Sequence, residues 1–492
     1  MRGNCFMSKK KKNEQIPTPS EYVEEMLDRI GYIHDVVGKV VLENSCGQGN
    51  ILGSIVERYI LDGERQGLSS DEIIMGLERD IIAYEIDKKE IEICKNILDE
   101  KVQRYGLYNV NWNIIESDFL KSDTSSFKAS FIIGNPPYIT YHDIDNSDRQ
   151  YIRDNYITCS KGRFDYCYAF IEASIKSLSD DGKLIYLIPF SIFRNRYAEY
   201  LRRYIIDYIS GVVDFTGKKV FRGITCSCAF LMCDNSKSAN ILYENCESNE
   251  KKQINKALLD PSKWVFEEVN EGEKRFGDYF EVHNSVATLK NDVFLICPES
   301  EDDTYYYSGN NMIEKAICLP AVSTKSLKKK YSINRSSKND NNASNNLFII
   351  FPYKIGAEGI AGYKVKEFKE MYPYAYKYML RNKKNLLLRK SDKNTKWYEY
   401  GRSQALNEIW NEKLIISMVI TREAKVYKAS KIAVPYAGYF ITAKKDSEIT
   451  LSYAKKLLQR DSFYKYVESI GTPTTETSYR ISVDDIKNYR FD

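Results

Sequence analysis

Asn135, Pro136, Pro137 and Tyr138 stand in a row after an apolar run, Ala129 to Ile133, and a glycine, Gly134. A buried strand that stops at such a loop puts an amide, two rigid prolines and an aromatic ring at the carboxyl edge of a sheet. That group suits a planar amine, a poor nucleophile because its lone pair is delocalised into a ring, as it attacks an activated methyl group. The Asn135 side-chain oxygen and the Pro136 carbonyl can each accept one N–H. Both bonds together draw the nitrogen towards tetrahedral geometry and free the lone pair. The prolines pre-aim the carbonyl, and Tyr138 can stack on the ring face. A sulfonium leaving group would drive the transfer, so no metal is required. The bland rival is a proline-stiffened turn.

Three further loops carry the same stamp. Glu43-Asn44-Ser45-Cys46-Gly47-Gln48-Gly49-Asn50 follows a short apolar strand, Lys39–Leu42. Gly47 and Gly49 let backbone approach a ligand, and the helix after them offers free N–H groups. The dinucleotide fingerprint GxGxxG fails at Leu52, so the loop suits the methionine and ribose parts of S-adenosylmethionine better than a pyrophosphate. Taken alone, a plain strand–helix turn explains it as well. Glu85 ends the next strand, where a carboxylate can accept both ribose hydroxyls; Asp87 fits a helix-start acid better. Asp118-Phe119 can grip an adenine, or simply cap a helix. Three such loops at successive strand ends outweigh any one of them.

The elements that must position these loops alternate. Helices are expected over Ile51–Leu61, from a Ser69 cap, over Lys88–Arg104 and over Phe164–Leu178. Strands are expected at Ile81–Ile86, Asn113–Ile115, Ala129–Ile133, Lys183–Pro189, Val212–Phe215 and Cys226–Met232, with a turn at Asp180-Asp181-Gly182. The pattern is a Rossmann-like, doubly wound α/β sheet of about seven strands. After Asp234 the texture becomes irregular α+β. Domains are expected at 1–15 (a basic arm holding Lys9–Lys12), 16–240 (the sheet domain), 241–275 (a linker) and 276–492. Arg335–Asn346 is a low-complexity exposed loop.

The chain has 492 residues, 43% hydrophobic and 28% charged, with a net charge of +4. This permits a nucleic-acid partner without arguing for one. Eleven cysteines without CxxC spacing and three histidines argue against zinc and for a reducing cytoplasm. No run is long enough to span a membrane. Met7 is an alternative start.

The order of these motifs resembles the gamma-class DNA adenine-N6 methyltransferases, in which a cofactor loop precedes an (N/D/S)PP(Y/F) loop and then a target-recognition domain. Too little chain lies between Asp118 and Asn135 for the alpha-class order, and the glycine loop comes too early for the beta-class order. The resemblance implies S-adenosylmethionine as cofactor, with S-adenosylhomocysteine as product. Thr18 and Pro19 become the N-terminal cofactor-side motif. Glu43, Cys46, Gly47 and Gly49 become the methionine-side loop, with Asn44 where the family usually has proline. Glu85 becomes the ribose acceptor, with Ile86 beside the cofactor's adenine. Asp118 and Phe119, with Asp165 and Phe170 and the amide of Asn135, complete the pocket. Phe221, in Val220-Phe221-Arg222-Gly223, becomes the ring opposite Tyr138 on a flipped base.

The partner implied is double-stranded DNA, bound by a monomer in a cytoplasm with a nucleoid. The cationic strip Lys377–Arg402 is the candidate phosphate contact, with Lys383, Lys384, Arg389, Trp397, Tyr398 and Arg402 singled out. A solvated helix face is a serious rival for the lysines. Val282–Phe294, Trp397-Tyr398 with Gly401-Arg402-Ser403-Gln404, and Pro435-Tyr436 look like the family's recognition-domain motifs. The resemblance leaves no length for a nuclease, so a methylase is expected that stands alone or pairs with a separately encoded endonuclease. Rival readings are a protein-glutamine or RNA-adenine N-methyltransferase, and a DNA-specificity module without catalysis.

Overall fold

A computed structural model describes residues 17–221, 226–267, 272–328, 347–356, 359–475 and 477–492. The basic arm, Arg222-Gly223 and Arg335–Asn346 lie outside the described residues. The chain divides into two compact units, residues 1–268 with 472–478, and residues 269–471 with 479–492.

The first unit begins with α1 (Ser20–Ile30), β1 (Val41–Glu43), α2 (Asn50–Arg65), α3 (Ser70–Asp80) and β2 (Ile81–Glu85). It continues through α4 (Lys88–Gln103), β3 (Ile114–Glu116), β4 (Ala129–Gly134), α5 (Asn146–Asn155), α6 (Tyr166–Ser177) and β5 (Leu178–Pro189). The short α7 (Ser191–Arg194) and α8 (Glu199–Ile205) lead to β6 (Ile209–Asp214), β7 (Cys228–Asp234), β8 (Asn240–Asn245) and β9 (Glu250–Asn255). The strands form one sheet in the order β3-β2-β1-β4-β5-β7-β6-β8-β9. β1 to β5 run parallel, and β7 is antiparallel to both its neighbours. Strand order reverses between β1 and β4, so their loops open on one crevice. β1 and β2 are buried along their whole length, as strands covered by helices on both faces must be.

The helices follow from their sequences. Ser69 and Glu72 cap α3 reciprocally, each bonding the other's backbone N–H. Asp87 accepts from Lys89 N at 2.9 Å and starts α4, the role expected of it. Along α2, Ile51, Leu52, Ile55, Val56, Tyr59 and Ile60 are buried at helical spacing.

Two expectations need correction. Asp180-Asp181-Gly182 does not precede the strand but is an excursion inside β5: Leu178 pairs with Ala129 of β4 and Lys183 with Phe131, so the residues between them leave the ladder in a turn-like bulge. The two exposed aspartates suit that excursion, and a Cβ at Gly182 would fall 2.6 Å from Ala129 O. Nor is 241–275 a linker. β8 and β9 extend the sheet to nine strands, and Trp264 and Phe266 are buried against Phe193 and Tyr243. β9 is an edge strand, so its polar residues suit its place.

The second unit is α+β. One antiparallel sheet orders Phe280–Asn284, Tyr439–Ala443, Lys413–Ile416 and Tyr427–Ala429. Another joins Leu295–Ile296, Phe348–Ile350, Cys318–Val322 and Val434–Pro435. Phe294, Tyr398, Tyr400 and Phe440 sit in a common core. Among the described residues, no helix is long and apolar enough to cross a membrane.

Arg202 is a buried charge of the first unit, wholly shielded from solvent. It donates to the carbonyls of Ile192 (2.6 Å), Asn195 (2.9 Å), Pro261 (2.8 Å) and Ser262 (2.7 Å). Burial pulls its pKa down to about 10. Arg202→Leu orphans four carbonyls and should cost about 3–5 kcal/mol of stability. Urea unfolding checks this, and a change below about 1 kcal/mol would contradict the account.

Candidate active site

β1 and β4 deliver the two central loops side by side. Cys46 N bonds Tyr84 O at 3.0 Å, folding the first loop back over β2. Gly49 has φ +86°, and a Cβ there would lie 2.6 Å from Cys94 Sγ on α4. Only glycine meets both conditions. Cys46 is buried, and its thiol is pushed up, first by a hydrogen bond with Cys94. At the end of β2 the Glu85 carboxylate accepts from Gly47 N (2.9 Å), Ile86 N (2.8 Å) and Asp87 N (3.0 Å). It ties the glycine loop to the second strand end. Ile86 beside it is 69% exposed.

Asn135 is held from two sides. Its side-chain Nδ2 donates to Thr18 Oγ1 at 3.2 Å, and its backbone carbonyl accepts from Ser45 Oγ at 3.3 Å. Thr18 is itself buried, and Pro19 O accepts from Tyr22 N and Val23 N as α1 begins. Tyr138 is half-buried and donates to Leu187 O at 2.8 Å. It packs against the apolar cluster that contains buried Phe221.

Beneath these loops lies a network that sequence did not flag. Asn44 Nδ2 donates to Ser174 Oγ (2.8 Å), which is 2.6 Å from Tyr186 Oη. The Tyr186 ring would be 3.1 Å from a Cβ at Gly134, so the glycine before Asn135 admits that ring. The departure from proline at Asn44 is thus built into the packing. Ser45, Ser174 and Tyr186 went unnoticed because their partners come from distant parts of the chain.

Asp118 and Phe119 divide their roles. Asp118 Oδ1 accepts from Leu120 N at 3.0 Å, and Lys121 Nζ is 3.4 Å from its other oxygen. Phe119 is buried, with its ring 5.2 Å from Tyr84 and 5.9 Å from Phe170. It forms floor rather than an exposed clamp. Asp165 precedes α6 and bridges to Thr140, just beyond Tyr138.

Four acceptors on these loops are buried without a hydrogen-bond partner among the described residues: Glu43 Oε2, Asn44 Oδ1, Asn135 Oδ1 and Asp165 Oδ1. Buried polar atoms are normally paired. Acceptors left over at one sheet edge fit a ligand rich in N–H and O–H donors, as an amino acid joined to a nucleoside is. Burial also pushes the Glu43 carboxyl well above the usual carboxylate range, against one backbone hydrogen bond from Leu52.

In the second unit, motifs far apart in sequence meet. Ala287 bridges to Arg402, Gly401 N bonds Thr288 O at 3.3 Å, and Gln404 Nε2 bonds Ser285 O at 3.0 Å. Tyr436 Oη accepts from Ser323 Oγ at 3.0 Å. The cationic strip separates into two kinds of residue. Lys383 and Lys384 are exposed, and Lys383 Nζ lies 5.4 Å over the half-buried Trp397 ring. Arg402 is exposed and pairs with Asp392 at 2.5 Å. Arg389 and Tyr398 are not surface contacts. The Arg389 guanidinium donates to three carbonyls, and Tyr398 is fully buried with its hydroxyl on Tyr363 O. Sequence shows a cation or a ring but not what surrounds it.

Residues 68–221 match the family described as Eco57I restriction-modification methylase. The chain is 23% identical over 362 residues to the Type II restriction enzyme and methyltransferase RM.Eco57I of Escherichia coli, covering 65% of this chain and 34% of that protein. It is 30% identical over 196 residues to the Type II methyltransferase M.BstVI of Geobacillus stearothermophilus, covering 38% of this chain and 35% of that one. With the modification methylase CviBIII of Paramecium bursaria Chlorella virus NC1A it shares 30% identity over 203 residues, 41% of this chain and 44% of that one. The chain thus spans between a third and a half of the length of these relatives. In fold it is similar to the Type IIL restriction-modification enzyme MmeI, solved in complex with DNA. The TM-score is 0.60 at 13% identity, covering 95% of this chain and 64% of that one. These likenesses bear out the α/β methyltransferase fold and the restriction-modification methylase resemblance.

Asp165 yields a pH prediction. Burial raises its carboxyl to about 7. An acid that titrates higher when folded than when unfolded costs stability as pH climbs from its unfolded to its folded value. The cost is small at pH 4, where the unfolded carboxyl is about half ionised, and complete by pH 8. Asp165 is partly exposed as a residue, so screening trims the effect to about 1–2 kcal/mol. Asp165→Asn should therefore stabilise the ligand-free protein at pH 8 and much less at pH 4. Equal shifts at both pH values in urea unfolding would contradict this.

Proposed function

We propose that this chain, which carries the Eco57I-type methylase segment, is a sequence-specific DNA methyltransferase that places a methyl group from S-adenosylmethionine on N6 of an adenine swung out of a duplex. The observation that carries the reading is Asn135 Oδ1, a buried acceptor without a partner among the described residues. Its amide nitrogen is spent on Thr18, and Ser45 steadies its backbone. An amide fixed in this way offers its oxygen to an incoming N–H. The Pro136 carbonyl takes the second N–H of the exocyclic amine, and the two bonds localise the lone pair on nitrogen.

S-adenosylmethionine supplies the methyl group on a sulfonium, which leaves as a neutral thioether. Thr18, Pro19, Glu43, Cys46, Gly47 and Gly49 surround the methionine end. Glu85 and Ile86 take the ribose and one face of the cofactor's adenine. Asp118, Phe119, Asp165 and Phe170 bound the rest of that pocket. Tyr138 and Phe221 flank the target base. The target's extra proton leaves after methyl transfer, so Asn135 acts as acceptor and need not be a base.

The second unit is the target-recognition domain. Lys383 and Lys384 neutralise phosphate, Trp397 supports Lys383, and Arg402 contributes less because Asp392 already holds it. The enzyme binds duplex DNA as a monomer in the cytoplasm, either as an orphan methylase or beside a separately encoded endonuclease.

Expressed in a methylation-free host, the protein should leave N6-methyladenine in one sequence motif, read by long-read sequencing. Unmodified DNA together with methylated RNA or protein would overturn the reading. Asn135→Ala should cut turnover at least ~100-fold while largely keeping S-adenosylhomocysteine binding; wild-type-like turnover would sink the mechanism. Duplex affinity should fall linearly in log–log with salt. Lys383→Ala/Lys384→Ala should lower that slope by about 2, and an unchanged slope would remove the phosphate assignment.

A further inference from the structure

Phosphate contact does not explain the apolar tip beside the lysines of the second unit. Leu387 and Leu388 are 62% and 77% exposed, at the end of the helix Lys383–Leu387. Lys383, Lys384 and Lys390 around them are exposed and pair with no carboxylate among the described residues. The base of this tip is fastened. Leu386 is buried, and Arg389 donates to Leu386 O (2.9 Å), Thr288 O (2.6 Å) and Trp397 O (2.7 Å). A loose loop would fold two adjacent leucines inward, away from water. Here the bonds on either side hold them out.

We infer that Leu387 and Leu388 form a wedge that enters a base step of duplex DNA while the three lysines hold the phosphates beside it. The inference rests on the DNA reading above. Charge complementarity selects the occupant. An apolar tip ringed by ammonium groups that meet no carboxylate among the described residues matches a polyanion whose interior is apolar, which describes stacked bases behind two phosphate rows. Leucine is among the side chains that unstack DNA steps in this way. An anionic lipid surface matches the charge, but two leucines on a folded unit offer little of the apolar face that interfacial anchoring needs. Arg389 then acts as a positioning residue that aims the wedge.

The test uses the full chain and duplexes that carry its methylated sequence, with 2-aminopurine placed at successive steps. Wild-type binding should raise fluorescence several-fold at one step besides the target base. Leu387→Ala/Leu388→Ala should abolish that rise, slow methylation of intact duplex ~10-fold or more, and keep the salt slope. An abasic site at that step should bring the variant back to within about threefold of wild type. A double variant with unchanged fluorescence and rate overturns the wedge and leaves the methylation reading standing. Leucine-dependent binding to phosphatidylserine vesicles, with no step-localised fluorescence, overturns it in favour of a membrane. A wild-type protein that modifies and binds no DNA overturns the underlying reading and the wedge with it.

Discussion

A buried amide oxygen without a partner costs about 1–3 kcal/mol, so a fold that keeps one must hold it against relaxation. Among the described residues nothing pairs with Asn135 Oδ1, which is such an atom. Rotating the carboxamide would break its bond to Thr18, and shifting its backbone would break the bond from Ser45. Thr18 lies just ahead of α1, Ser45 follows β1, and Asn135 follows β4. Three separate parts of the first unit therefore meet at one side chain. The parallel order of β1 and β4 at the switch point makes the meeting possible.

Close approaches fix the loops around it. Gly49 lets the first loop lie against Cys94, and Gly134 admits the ring of Tyr186 under the second. Through Ser174, Tyr186 reaches Asn44 on the first loop. The cofactor-side and base-side loops therefore share one set of supports, and disturbing either disturbs both. Glu85 adds a third strand end by taking three backbone N–H groups. Such preorganisation matters because the proposed chemistry depends on aiming acceptors rather than on moving a strong base.

How much of this was legible varied with the physics behind each feature. Parallel strands buried on both faces leave apolar runs, and loops that approach a ligand leave glycine, asparagine and proline. The central sheet and the Asn135–Tyr138 loop could therefore be read directly. β8 and β9 could not, because strands towards a solvated edge carry polar residues and look like a linker. Asp180 and Asp181 mark an excursion inside β5 rather than the turn before it, because a bulge and a turn draw on the same residues. The Asn44–Ser174–Tyr186 network leaves no periodic trace, since its bonds join residues 130 and 12 positions apart. Arg389 misled for another reason: a cation that solvates and one that bonds carbonyls are the same letter in sequence.

The central claim is that Asn135 acts through an acceptor oxygen. Asn135→Asp keeps an acceptor at that position and can accept from the Thr18 hydroxyl, whereas Asn135→Ala keeps neither. The measurement is single-turnover methylation of a duplex carrying the target motif by both variants at saturating S-adenosylmethionine. The account predicts that Asn135→Asp retains turnover at least ~10-fold above Asn135→Ala. Equal rates for the two variants would contradict it.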